Sequence, residues 1–219
     1  MSKTSLYSFY NMFIPINNLI IQASDKSGNS QNLDVDYPIG LSYNFLSLKD
    51  TDKCRIQLGK HENLVLCSFT TDTDWQRRKD MDVNRVIIHN NLYKNGIKNY
   101  KLEYGDYIFN LSKFKFVISP EGRGDDCHRH YEALLAGCIP IIEYNEKILK
   151  KYEELPVLYT KDYSEITPEY LIKIYNKMIL KKYNFSKLMF SYFSESEREE
   201  IKEKGNFWCK KIINKNAYK

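Results

Sequence analysis

Long apolar runs, paired cysteine motifs and histidine clusters are all missing from this 219-residue sequence. No window approaches ~18 uninterrupted apolar residues, and the first residues hold no basic stretch followed by an apolar one. The expectation is a soluble chain, in the cytoplasm rather than the lumen of the secretory pathway. The five cysteines, at positions 54, 67, 127, 138 and 209, form no C-x-x-C pair. That spacing excludes a zinc knuckle and a complete disulfide framework, and it leaves Cys67 and Cys138 as inert core residues of buried strands. Of the four histidines, His61 and His89 are isolated, while His128 and His130 stand two apart and point to different sides of a helix. They cannot chelate one metal together. The charge excess is only +5, and no zinc spacing or exposed aromatic pair accompanies it, so nucleic acid is not an expected partner. The same excess suits a small anionic ligand. The 18 tyrosines are read as core filling. Two N-x-S acceptor patterns, at Asn110 and Asn184, match what chance gives in so Asn-rich a chain.

What is present is concentrated in residues 113–143, KFKFVISPEGRGDDCHRHYEALLAGCIPIIE. Residues 114–119 read as a strand of aromatic and β-branched residues, ended by Pro120, which cannot donate to a sheet ladder. A loop follows, with Gly122 and Gly124 allowing a sharp turn and close approach to a ligand. Asp125 or Asp126 can cap a helix that runs to about Ala136 and is stopped by Gly137. Tyr131, Leu134 and Leu135 fall on its apolar face, and His128, Arg129 and Glu132 on another. A second strand, 138–142, follows at once, making a βαβ crossover whose helix begins beside the carboxyl end of a buried strand. An anion there would meet free backbone amides, the positive end of the helix dipole, and the cations Arg123 and Arg129. A plain turn, two capping aspartates and an Arg129–Glu132 surface pair fit the same residues. The loop is neither G-x-G-x-x-G nor a P-loop.

At these residues the chain resembles glycosyltransferases of the exostosin type, whose carboxy-terminal halves carry a pattern much like S-P-x-G-x-G-x-D-x-H-R-x-x-E-A-L-x-x-G-x-I-P. Ser119, Pro120, Gly122, Gly124, Asp126, His128, Arg129, Glu132, Ala133, Leu134, Gly137, Ile139 and Pro140 match it here. Weaker similarity extends over roughly residues 64–213. The resemblance implies an α/β fold: a Rossmann-like parallel sheet with helices on both faces, the donor-binding half of a type-B glycosyltransferase. It implies a nucleotide diphosphate sugar as donor, UDP-linked, with no cofactor and no metal. Carried over, Glu132 bonds the ribose hydroxyls, and Arg129 with the amides after Gly124 holds the diphosphate. Gly122, Arg123, Asp126, Cys127 and His128 complete that site, and Arg78, favoured over Arg77, reaches back toward the phosphates. Cys127 stands where the pattern commonly has threonine and Tyr131 where it has tryptophan. The acceptor would be a glycan or protein. A general base, if the reaction inverts the sugar, usually comes from the other half of this fold, so no catalytic residue is named.

Organisation limits that reading. Residues 1–60 lack an ordered alternation of strands and helices and are expected to be a short lead-in from an acceptor domain, before a nucleotide-sugar domain at 61–219. A partner chain could supply the missing half, or the chain could be a binding module that keeps the fold and does no chemistry. Four D-x-D triplets, at Asp34, Asp50, Asp72 and Asp80, raise a metal-dependent alternative, and only Asp72–Asp74 follows an apolar strand. The competing reading is that Asp72 or Thr73 caps a helix starting at Trp75. Further strands are expected at 64–69 and 156–159, and helices at 168–182 and 194–203. A break is expected at Gly205, with helix resuming near Trp208.

Overall fold

The computed structural model describes residues 3–5, 14–26, 35–48 and 61–219. Cys54, both members of the Asp50 triplet, Asp34 and most of the polar loop after Asp25 lie outside them. In chain order the elements are β1 (Thr4–Ser5), β2 (Asn63–Cys67), α1 (Trp75–Arg78), α2 (Arg85–Lys94), α3 (Tyr104–Leu111) and β3 (Phe114–Ile118). There follow α4 (His128–Leu135), β4 (Ile139–Glu143), α5 (Glu146–Lys151), β5 (Leu158–Thr160), α6 (Pro168–Met178), β6 (Lys182–Tyr183) and α7 (Glu195–Ile213). Strands β2, β3, β4 and β5 form one sheet in that order, every pair parallel, with Val65 opposite Phe116, Ile118 opposite Ile141, and Ile141 opposite Leu158. β1 and β6 make a separate antiparallel pair. The expected parallel sheet is present, its last strand beginning at Leu158 rather than 156.

Strand alternation sorts the core onto two faces of this sheet. Phe116, Ile118, Ile139 and Ile141 join the larger cluster, with Ile88 and Leu92 of α2 and Leu171 and Tyr175 of α6. Leu66 and Val117 point the other way, toward Tyr107 and Leu111 of α3. Both faces are therefore covered, as an all-parallel sheet requires. Tyr37, Tyr131, Tyr152 and Tyr163 are among the largest fully buried side chains, consistent with tyrosine as core filling. Among the described residues no helix is long and apolar enough to cross a membrane.

Helix ends follow local chemistry. α4 stops because Gly137 takes φ +72°, and the amides of Gly137 and Cys138 bond back to the carbonyls of Leu134 and Ala133 at 3.0 and 2.9 Å. At the other end the expected aspartate cap is absent: Cys127 holds the cap position and no side chain caps the helix. α6 begins with Thr167 capping and Pro168 in the first turn. It ends at Met178, short of the expected 182. α7 starts with a capping box between Ser194 and Glu197.

The described amino-terminal segments pack into the same core rather than forming a layer of their own: Leu19, Ile20, Ile21, Tyr37, Leu41 and Phe45 belong to the larger cluster. This packing explains Gly205, where the expected helix break does not occur and α7 runs on. A Cβ there would come within 2.5 Å of the Ile21 carbonyl oxygen and 2.9 Å of Tyr218 Cε2. Gly205→Ala is expected to destabilise by about 1–3 kcal/mol through that overlap, although alanine alone favours a helix by ~1 kcal/mol. The sign in urea denaturation decides, since a stabilised variant would mean the amino-terminal segment packs elsewhere.

Candidate functional site

At the carboxyl end of β3 the chain turns through Ser119, Pro120 and the glycine loop into α4, and above that turn lies a cleft of about 480 Å³. Its size suits a small-molecule ligand. Gly122, Arg123, Gly124, Asp126, Cys127, His128, Arg129 and Glu132 all line it, so the structure gathers every sequence-predicted site residue except Arg78. It adds Thr73, Arg85, Tyr104 and Tyr107, and a wall from residues 22–25, 39–44 and α7.

Arg78 is placed elsewhere. It is 3% exposed and reaches Asp74 at 3.0 Å, Glu143 at 2.9 Å and Glu121 at 3.4 Å. Three carboxylates occupy its guanidinium, so it braces the loop from beneath and does not form the cleft wall. Arg77 is committed as well, to Glu121 at 2.6 Å and to Asp125. Asp125, paired to Arg77 and accepting from Asn145 at 3.2 Å, is a loop brace and not the helix cap the sequence suggested. Asp74 takes the cap position of α1 in place of Asp72 or Thr73. Asp72 is exposed while Asp74 is buried, so the triplet does not converge on one site, and no cluster of metal-ligating side chains is found among the described residues.

Within this brace burial disfavours the ionised form of Glu121. Burial, and then Glu143 beside it, push its carboxyl up to about 7, against the pull of Arg77. A carboxyl whose folded value exceeds its unfolded one holds its proton more tightly when folded. Its contribution is therefore most favourable below the unfolded value and declines as pH rises to about 7, by roughly 3 kcal/mol in all. Glu121→Gln is expected to flatten that decline in denaturation curves taken from pH 4 to 8. An unchanged slope would show that Glu121 stays ionised throughout.

Asp126, although at the cleft, spends both oxygens on the protein. Tyr152 donates to one at 2.7 Å; Lys151 and the Ile39 amide donate to the other at 3.1 and 3.0 Å. Burial alone would raise its carboxyl, yet Lys151, His130 and Tyr152 hold it below the usual carboxylate range. Its role is to tie the loop to the segment at Ile39. His130 is equally internal: Nε2 faces the Asp125 carbonyl at 3.3 Å and must donate, so Nδ1 accepts from Ser119 at 2.7 Å. Cys127 is a neutral thiol, pushed up to about 12 by burial, with Sγ 3.8 and 3.7 Å from the Pro120 and Gly124 carbonyls.

The remaining lining groups border the cleft with hydrogen-bonding capacity to spare. His128 meets the Gly40 carbonyl through Nδ1 at 2.8 Å, which makes Nδ1 the donor in the neutral ring and leaves the Nε2 lone pair open. Glu132 accepts from Tyr104 at 2.7 Å on one oxygen, leaving the other available. Arg129 stacks 4.9 Å from the Tyr107 ring centre, and its Nε is enclosed without a hydrogen-bond partner. No Arg129–Glu132 ion pair forms among the described residues. Arg85 is the residue that sequence reading passed over. Only 3% exposed, it donates to the carbonyls of Glu121, Thr70 and Pro120 at 2.7, 2.9 and 2.9 Å, with no carboxylate within ion-pair distance among the described residues. Burial, with Arg129 nearby, lowers the pKa of this cation although Asp74 and Glu143 pull the other way. Gly122 leaves room for it, since a Cβ there would lie 3.2 Å from an Arg85 terminal nitrogen. Arg85 had one legible signal: it follows Asn84, which caps α2 through the amides of Val86 and Ile87, and a cation in the first turn of a helix opposes the dipole.

The arrangement can hold a compact polyanion. Two buried or half-buried guanidiniums with no carboxylate within ion-pair distance among the described residues, the charge of exposed Arg123, and an uncapped helix start converge on one cleft. Comparison with known protein families finds no family that matches this chain, and no curated protein matches it either.

Proposed function

We propose that this chain binds a nucleotide diphosphate sugar, as the donor domain of a glycosyltransferase similar to the exostosin type. The observation that carries the reading is the pair Arg85 and Arg129, cleft cations with no carboxylate within ion-pair distance among the described residues, beside the uncapped start of α4. Burying charge in that way is costly unless a ligand supplies the counter-charge. A diphosphate does so, and its remaining oxygens meet the amides of the first helical turn. Glu132, held by Tyr104, presents its second oxygen to ribose hydroxyls. Uridine is the base that the family resemblance favours.

In transfer, charge grows on the leaving diphosphate, and fixed cations and amides aimed there lower the barrier more than they lower the ground state. The transferred sugar passes to a hydroxyl of a glycan or protein, with any acceptor half beyond this fold supplied by a partner chain. Residues that bind the donor without supplying transfer would make the chain a non-catalytic nucleotide-sugar module.

Titration calorimetry with UDP and a panel of UDP-sugars tests the proposal. Arg129→Ala is expected to weaken UDP binding by about 1.5–3 kcal/mol, one charge-assisted bond, with the melting temperature nearly unchanged. Absence of nucleotide binding at millimolar concentration, or an Arg129→Ala affinity equal to the wild type, would overturn it. Transfer or donor hydrolysis by the bound chain separates the enzyme from the binding module.

A further inference from the structure

Helices α3 and α4 meet in matching steps. Tyr104 and Tyr107 stand three residues apart, one turn along a face of α3, and Arg129 and Glu132 stand three apart along a face of α4. Tyr104 Oη donates to a Glu132 carboxylate oxygen at 2.7 Å, and the Tyr107 ring centre lies 4.9 Å from the Arg129 guanidinium carbon. The pairs run in opposite order along the two helices, so one turn of α3 backs one turn of α4. Tyr107 and Leu111 share a core cluster with Ala133 of α4 and Ala136 just after it. All four paired residues line the cleft. The two contacts differ in kind. Glu132 is held by a hydrogen bond, whereas Arg129 Nε and the Tyr107 hydroxyl are both enclosed without a hydrogen-bond partner among the described residues. Tyr107 therefore acts on the guanidinium through its ring and not through its oxygen.

We infer that Tyr104 and Tyr107 are positioning residues for the donor: Tyr104 sets a preference for ribose over deoxyribose through Glu132, and Tyr107 aims the Arg129 guanidinium at the diphosphate through its aromatic face. The inference rests on the nucleotide-sugar reading above and gives it two residues outside the glycine loop and α4. A buried carboxylate held on one oxygen presents the other in one direction, so the ordering needed to meet a ribose hydroxyl is incurred on folding and not on binding. Without the phenol that carboxylate turns, and its hold on a ribose hydroxyl loosens. A stacked ring covers the face of a planar guanidinium and leaves its edge, where the N–H donors lie, for an anion.

Calorimetry on the full chain with UDP and 2′-deoxy-UDP separates the two roles. The wild type is expected to favour UDP by about tenfold. In Tyr104→Phe that ratio should shrink by about threefold or more, through weaker UDP binding. In Tyr107→Leu both nucleotides should weaken about three- to tenfold with the ratio kept, and Tyr107→Phe, which returns the aromatic face without the hydroxyl, should recover most of that loss. A merely structural Tyr104 would lower the melting temperature in Tyr104→Phe and leave the ratio unchanged. That unchanged ratio, a Tyr107→Leu affinity equal to the wild type, or a Tyr107→Phe loss as large as that of Tyr107→Leu would each overturn the assignment. Tyr104→Phe deletes a single oxygen from a half-buried ring, so its ratio decides the test even where Tyr107→Leu does not fold. A wild type that binds both nucleotides equally overturns the Tyr104 role and leaves the nucleotide reading standing, whereas one that binds no UDP removes both.

Discussion

Asp126→Asn is expected to lower the unfolding free energy by about 3–5 kcal/mol, the range for removing one partner of a buried ion pair. Asp126 is fully enclosed and meets donors only: Tyr152 at 2.7 Å, Lys151 at 3.1 Å and the Ile39 amide at 3.0 Å. An amide keeps the shape but turns one acceptor into a donor and takes the carboxylate away from a buried ammonium. The pH sign is fixed by the carboxyl lying below its usual range. Its contribution is fully present above the unfolded value and is lost as pH falls through the folded one. Denaturant curves at neutral pH measure the size, and hydrogen exchange at the Ile39 amide locates it. A loss below about 1 kcal/mol, with Ile39 still protected, would show that the tie between loop and amino-terminal segment does not depend on this carboxylate.

That tie was the least legible part of the chain. Strands at 114–118 and 139–143 announced themselves because buried parallel strands are near-continuous apolar runs, and Gly137 marked the end of α4 because only a left-handed residue could close it. The cleft-lining residues of the loop were legible for the same reason: helix start, glycines and cations are adjacent in sequence. What spacing cannot show is which polar side chain turns inward. Asp126 read as a site residue and is a brace; Arg78 read as a phosphate ligand and lies under the loop among Asp74, Glu121 and Glu143. Arginines at 77, 78 and 85 are equivalent in composition and differ only in what their neighbours offer: carboxylates to the first two, carbonyls to the third. Gly205 misled in the opposite direction. Its lack of a side chain serves a contact with Ile21, 184 positions away in sequence, and local propensity carries no trace of such a contact.

Arg85 separates the structural and binding roles most sharply, because it holds three carbonyls and has no carboxylate within ion-pair distance among the described residues. Arg85→Gln should cost about 2–5 kcal/mol of UDP affinity, the range for truncating one member of a desolvated charge pair. Arg85→Lys keeps the charge, but a single ammonium cannot reproduce a planar fork that meets carbonyls from Thr70, Pro120 and Glu121 at once. Its stability should fall by about 1–3 kcal/mol for each carbonyl left unpaired, while part of the affinity survives. Both variants leave carbonyls unpaired and lose stability, so the binding axis separates them: lysine, which keeps the charge, retains part of the affinity, and glutamine, which lacks it, loses more affinity per folded molecule. Ligand protection gives a second readout, since UDP at about 100 times its dissociation constant should stabilise the wild type by ~2.7 kcal/mol and the glutamine variant far less at the same concentration. If both variants lose stability alone, with unchanged affinity per folded molecule, Arg85 serves only to pin the loop, and the counter-charge for a diphosphate has to be sought in Arg123 and Arg129.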